Sequence, residues 1–249
     1  MCSIRWKVWQ HVAITNDGHT ARTYIDGNLV AENGTSLINA PTAGVINRFE
    51  CSSKTPDDLA FPITPGAETV PVIEALDGQL ITNRIDLKPA AEEGNQVSDV
   101  ASDVLKIVVV NRYRDAPVAK AFIRNFGLKE GALASSVAHD SHNIVAVGVD
   151  DESLCKAINL IIAHKGGVSF VKENTELVVP LPVAGLMSNE DGYHIARQYS
   201  LIDAAAKEAG STLSAPYMTL SFMALLVIPH LKLSDRGLFD GDRFQFIES

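Results

Sequence analysis

Val104 to Tyr113 reads VLKIVVVNRY, and Lys106 is the one charge inside its apolar core. Val104 and Ile107 to Val110 are β-branched, so their χ1 angles are stiff and an extended backbone suits them. The run predicts a strand. Downstream, DDESLCKAINLIIAHKGG (150–167) repeats apolar residues at helical spacing through Leu154, Ile158, Ile161 and Ile162. Asp150, Asp151 and Glu152 stand where a helix macrodipole favours negative charge, and Gly166-Gly167 stop the helix. A strand and a helix of this kind must share a core, which points to a sheet with helices packed on it.

Further elements follow along the chain. GVSFV and ELVVPLPVAG read as strands, and AKAFIRNFGL reads as a strand in preference to a short helix. SNEDGYHIARQYSLIDAAAKEAG is a second helix, with Ile195, Tyr199, Ile202 and Ala206 on one face and Gly210 as its stop. Upstream, VPVIEALDGQLITNRIDL (70–87) reads as a hairpin that turns at Asp77-Gly78 and returns at Leu80-Ile81. KPAAEEGNQVSD (88–99) reads as a solvated loop. Near the N-terminus, TARTYIDGNLVAENG carries two turn signals, Asp26-Gly27 and Asn33-Gly34. Hairpins and strand–helix–strand units therefore coexist. The expectation is an α+β fold: a mixed β-sheet with two main helices, preceded by a small β-hairpin element. The expected domains are 1–38 and 39–249.

The formal net charge of −9 argues against a nucleic-acid partner, because phosphate binding needs a basic surface. Cys2, Cys51 and Cys155 are far apart and odd in number, with no C-x-x-C, so a disulfide framework or zinc knuckle is not expected. Met1–Gln10 has no apolar segment of the signal-peptide kind. The greasiest stretch, Met218–Ile228, is too short to span a bilayer and reads as a buried strand or helix. These features set the expectation of a cytoplasmic protein without a membrane partner.

The chemistry-bearing residues concentrate in ASSVAHDSHNIVAVG (134–148). His139, Asp140, Ser141, His142 and Asn143 are contiguous there. Asp140, Ser141 and Asn143 are good turn formers, so a polar connection between two strands accounts for them. It does not account for two histidines. Residues three apart on a strand point to opposite faces, so a shared metal would need a turn between them. Two imidazoles and one carboxylate are a thin donor set, and H-x-H, H-E-x-x-H and EF-hand spacings are absent. G-x-S-x-G, P-loop and G-x-G-x-x-G motifs are absent too. Ser135-Ser136 supplies the residue types of a nucleophile beside His139, with core-facing strand residues as the preferred reading. No metal ligand and no catalytic residue is assigned; the five loop residues are the candidate substrate-binding or active-site-facing group.

NRYRDAPVAKAFIRNFGLKEGALASSVAHDSHNIVAVGVDDESLCKAIN (111–159) resembles the C-terminal domain of bacterial-type adenine deaminases. VIEALDGQLIT (72–82), LPVAGLMS (181–188) and PYMTLSFMALLVIPHLKLSDRGLFD (216–240) fit the same domain in the same order. The resemblance covers roughly residues 47–246. TYIDGNLVAENG is similar to the hairpin that ends the amidohydrolase part of those enzymes, and also to a laminin-G-like strand pair. The family order favours the first, which makes 1–38 a remnant of an amidohydrolase β-sandwich or a fusion.

The resemblance implies a hydrolase of the amidohydrolase superfamily, active in purine salvage and adenine catabolism, converting adenine and water to hypoxanthine and ammonia. It implies manganese or iron in a metal barrel, with the ligands at the C-terminal ends of the strands. A barrel of that kind takes about 250 residues, and its H-x-H pair, later histidines and aspartate have no counterpart in these 249 residues. The chain is therefore expected to be the C-terminal portion of such an enzyme. It is expected to bind no metal alone and to be inactive alone. Its expected partners are adenine, a metal-barrel portion carried on a separate chain, and further copies of itself in a homo-oligomer. The alternative is a stand-alone purine-binding or structural module without catalysis.

Overall fold

The computed structural model describes residues 11–39, 44–63, 65–66 and 68–247. Cys2 and the stretch Met1–Gln10 lie outside the described residues. The chain divides into two compact units, Met1–Thr42 and Ala43–Ser249.

The first unit is an antiparallel meander of β1 (Val12–Asn16), β2 (Ala21–Ile25), β3 (Asn28–Glu32) and β4 (Thr35–Ser36). Asp26-Gly27 joins β2 to β3 and Asn33-Gly34 joins β3 to β4. All four turn residues have positive φ, between 47° and 79°, as two-residue type I′ hairpin turns require.

The second unit contains α1 (Pro56–Leu59), β5 (Val70–Ala75), β6 (Thr82–Leu87), β7 (Ala90–Glu92), β8 (Asn95–Val97), β9 (Val104–Val110), β10 (Ala119–Arg124), β11 (Ala132–Ser135), β12 (Ile144–Gly148), α2 (Asp151–Ala163), β13 (Gly167–Lys172), β14 (Thr175–Pro180), α3 (Gly192–Glu208), α4 (Pro216–Phe222), β15 (Leu231–Ser234), β16 (Gly237–Asp240) and β17 (Gln245–Phe246). Eight of these strands form one sheet in the order β14-β13-β11-β12-β9-β10-β5-β6. Its β10–β5 pair is parallel and its other pairs are antiparallel, so the sheet is mixed.

The unbroken apolar run of β9 follows from its place near the middle of this sheet. Leu105, Ile107 and Val109 join a core with α3, α4 and β15, while Val108 and Val110 join a second core under α2. With both faces covered, no position can be polar without a buried partner, and a buried aliphatic contributes about 1.5–3 kcal/mol. Lys106 is the exception and carries its partner with it: Nζ donates to Asp151 Oδ1 at 2.6 Å and to Leu59 O at 3.1 Å.

α2 packs Leu154, Ala157, Ile158 and Ile161 on the sheet, and its N-cap Asp150 accepts from the Ser153 N–H at 2.6 Å. α3 is capped by Asp191 in the same way and buries Ile202 and Ala206. No helix of the described residues is long and apolar enough to cross a membrane. The α+β class with α2 and α3 as main helices holds, and so does the strand reading of AKAFIR. Met218–Ile228 forms most of α4 and the turns after it, with Leu220 and Met223 buried and Val227 exposed.

Three details differ from the sequence reading, the first being that the strand read in ELVVPLPVAG ends at Pro180. Residues 88–99 are not a loop throughout: β7 and β8 pair around Glu93-Gly94, whose φ values are 48° and 82°. The pair lacks apolar alternation because its buried member is the polar Gln96. Leu80 and Ile81 belong to the turn, and the return strand β6 starts at Thr82. Thr82 is fully buried because it locks onto β15, its hydroxyl donating to Leu231 O at 2.8 Å.

Candidate functional site

The connection from β11 to β12 contains all five candidate residues. Ser135 and Ser136, just before it, are buried. Ser136 Oγ donates to Gly185 O at 2.6 Å and accepts from Gly167 N–H at 2.9 Å, so this serine is a structural tie. The chain then bends. The His139 N–H donates to Ser221 O of α4 at 3.0 Å, and the His142 N–H donates to Ala138 O at 2.7 Å. His142 adopts a φ of 51° to make this bend. The bend places both imidazoles on one side, with ring centroids 5.5 Å apart and an interplanar angle of 64°. His139 also stacks on Phe222, centroids 5.0 Å apart at 18°. Asp140 and Ser141 are exposed, and Asn143 is buried.

The loop rests on the end of β9. Asn143 Oδ1 accepts from the Arg112 backbone N–H at 3.2 Å. Arg112 Nη2 donates to Tyr113 Oη at 3.0 Å, and Tyr113 Oη donates to Ser141 O at 2.8 Å. The Arg112 guanidinium carbon lies 4.8 Å from the Tyr113 ring centroid and 5.5 Å from that of Phe49. Arg112 is only 4% exposed, and its Nε and Nη1 have no partner; neither has the buried Nδ1 of His142. Burial pushes the His142 pKa down, and the neighbouring His139 and Arg112 push the same way against Asp140. His142 is therefore a neutral imidazole at pH 7.

Sequence reasoning singled out the five loop residues and missed Arg112, Tyr113 and Gly185. The available signal was NRY directly after the β-branched run, where a strand end meets a loop. Gly185 had no local signal. It adopts a φ of +71°, and a Cβ there would lie 1.7 Å from Arg112 Nη1.

As a metal site the donor set is too small. Two imidazoles and one exposed carboxylate are too few donors for a closed site, and no group of three or more His, Cys, Asp or Glu among the described residues is placed to hold an ion. The manganese or iron implied by the resemblance does not fit these side chains. What the arrangement offers is hydrogen bonding and a neutral aromatic surface.

Residues 79–245 match the family model described as the adenine deaminase C-terminal domain. A protein named adenine deaminase from Salinibacter ruber is 49% identical over 228 residues, covering 91% of this chain and 41% of that protein. Proteins of the same name from Methanosarcina acetivorans and Borreliella burgdorferi are 46% and 43% identical, again over 91% of this chain. The chain spans 41–42% of the length of these relatives.

Proposed function

This chain belongs to the adenine deaminase C-terminal domain family, and from that premise we propose that it serves as the non-metal portion of an adenine-deaminating hydrolase. In that role it does not release ammonia from adenine by itself. The metal chemistry is supplied by a barrel portion, and the loop His139–Asn143 faces the mouth of that active site. The observation that supports this reading is the group of unmet polar atoms behind the loop: His142 Nδ1 with Arg112 Nε and Nη1. Leaving such groups buried and unpaired costs about 1–3 kcal/mol each, a cost that a partner or ligand closing on the loop relieves. A neutral histidine suits hydrogen bonding to a purine edge, and a loop of this kind can close over a bound base.

The test is ammonia release from adenine with manganese or ferrous iron added. The isolated chain is expected to show none above background, and a barrel-bearing fragment of a relative mixed with it is expected to restore release. Ammonia from the chain alone would refute the proposal and return attention to His139, Asp140 and His142 as metal ligands.

One observation favours a second reading. His139 is tied to α4 through Ser221 O and Phe222, so the loop also holds its own unit together. A stand-alone purine-binding or structural module would use it only in that way. Replacing both histidines by alanine in a full-length relative separates the two: unchanged turnover with lowered stability supports the structural role.

A further inference from the structure

A second feature lies elsewhere on the same unit. A cleft of about 640 Å³ opens between the start of β10, β5, β8 and the β15–β16 turn. That volume falls in the range of pockets for small ligands. Four observations define what it would take.

Phe61 and Phe122 both line the cleft and are stacked on each other, centroids 5.7 Å apart at 13°. A flat ring is the natural continuation of such a stack. Gln96 also lines it and is 2% exposed. Its amide Nε2 is committed to Pro62 O at 3.2 Å, which fixes the amide, while its buried Oε1 has no donor. A ligand bearing an N–H or O–H would satisfy it. Arg114 and Arg236 line the same cleft and are exposed. The lining carboxylate, Asp235, is engaged by Asn111 Nδ2 at 2.7 Å. The lining Lys120 is spent on two carbonyls, Asp58 O and Ala60 O. Arg236 lies over the Phe246 ring, 4.6 Å from its centroid, and neither arginine is ion-paired with a carboxylate among the described residues, so on a chain of net charge −9 two cations without a counter-charge border one pocket.

We propose that this cleft is a binding site for a small anion that carries a planar ring with a hydrogen-bond donor, of the nucleoside monophosphate class. The ring stacks against Phe61 and donates to Gln96 Oε1, and the phosphate meets Arg114 and Arg236. None of the five loop residues lines the cleft. The site is therefore separate from the one proposed above, and its test reads binding, not turnover.

The experiment is calorimetric titration of the whole chain with adenosine 5′-monophosphate, adenosine and inorganic phosphate. The monophosphate is expected to bind at least about tenfold more tightly than either part. Arg114→Ala and Arg236→Ala are each expected to weaken it about tenfold and to leave adenosine unchanged. Gln96→Leu should weaken adenosine and the monophosphate alike; circular dichroism checks that β7–β8 still forms. No binding of the monophosphate at millimolar concentration overturns the proposal. So does equal affinity for inorganic phosphate, or binding that both arginine variants retain in full.

Discussion

Gly185→Ala should damage the support of the candidate loop without touching the loop itself. The added Cβ would sit 1.7 Å from Arg112 Nη1 and 3.0 Å from its guanidinium carbon. No relaxed structure holds that contact, so Arg112 or the 182–186 segment must move. Moving Arg112 disturbs its bond to Tyr113 Oη and its place over the Tyr113 and Phe49 rings. Moving the segment strains the Ser136 Oγ bond to Gly185 O. Overpacking of this kind costs about 1–3 kcal/mol. The φ of +71° adds about 1–2 kcal/mol for any residue with a Cβ. The expected total is about 2–5 kcal/mol. Gly78→Ala is the matched control: its φ is +68°, and its Cβ would meet nothing within 4 Å. It should carry the backbone cost alone, about 1–2 kcal/mol. Urea unfolding of both variants, followed by fluorescence, measures the difference. Equal destabilisation of the two would refute the claim that Gly185 is required by Arg112.

Two further predictions concern charge. His142 has a folded pKa below its ordinary 6.5, so between the two values the unfolded chain binds more protons. Stability should therefore fall as pH drops from about 6.5 through the folded pKa. His142→Gln should flatten that dependence; unchanged slopes in urea midpoints at pH 7.5, 6.5 and 5.5 would count against it. The Lys106–Asp151 pair behaves differently. Asp151→Ala leaves Lys106, 1% exposed, without its counter-charge and should cost about 3–5 kcal/mol, whereas Lys106→Met with Asp151→Ala should recover most of that loss in thermal unfolding.

The elements legible in the sequence were those whose pattern reflects burial. β9 and β12 are buried at every position because both faces of the sheet are covered, and α2 is apolar at helical spacing because one face packs on the sheet. The Asp-Gly and Asn-Gly turns were legible because positive φ restricts the residue choice. β7–β8 was not, since its buried residue is Gln96 and its stability comes from bonds to the Phe61–Pro62 backbone, which lies over thirty residues upstream. The start of β6 was misplaced for the same reason: Thr82 is held by Leu231, 149 positions away. The loop His139–Asn143 was visible as a cluster of residue types. Its scaffold was not, because Arg112, Phe49 and Gly185 meet only after the chain has folded.

The buried cations are held in different ways. Lys106 has Asp151 at 2.6 Å and Lys54 has Asp115 at 3.4 Å, while the fully buried Lys232 donates its Nζ to Leu80 O at 2.7 Å. Arg112 has no carboxylate within ion-pair distance among the described residues; the rings of Phe49 and Tyr113 and the Tyr113 hydroxyl carry it instead. A guanidinium tolerates this better than an ammonium, being flat, weakly hydrated and able to lie on rings. The consequence falls on His142, because a fixed positive charge beside an imidazole opposes a second one. Burial is the first cause of the lowered His142 pKa, and the Arg112 charge adds to it in the same direction. Arg112→Met should accordingly let His142 titrate closer to 6.5, as read from its ring proton shifts. An unchanged titration would mean that burial alone keeps the imidazole neutral and that the arginine is only a strut.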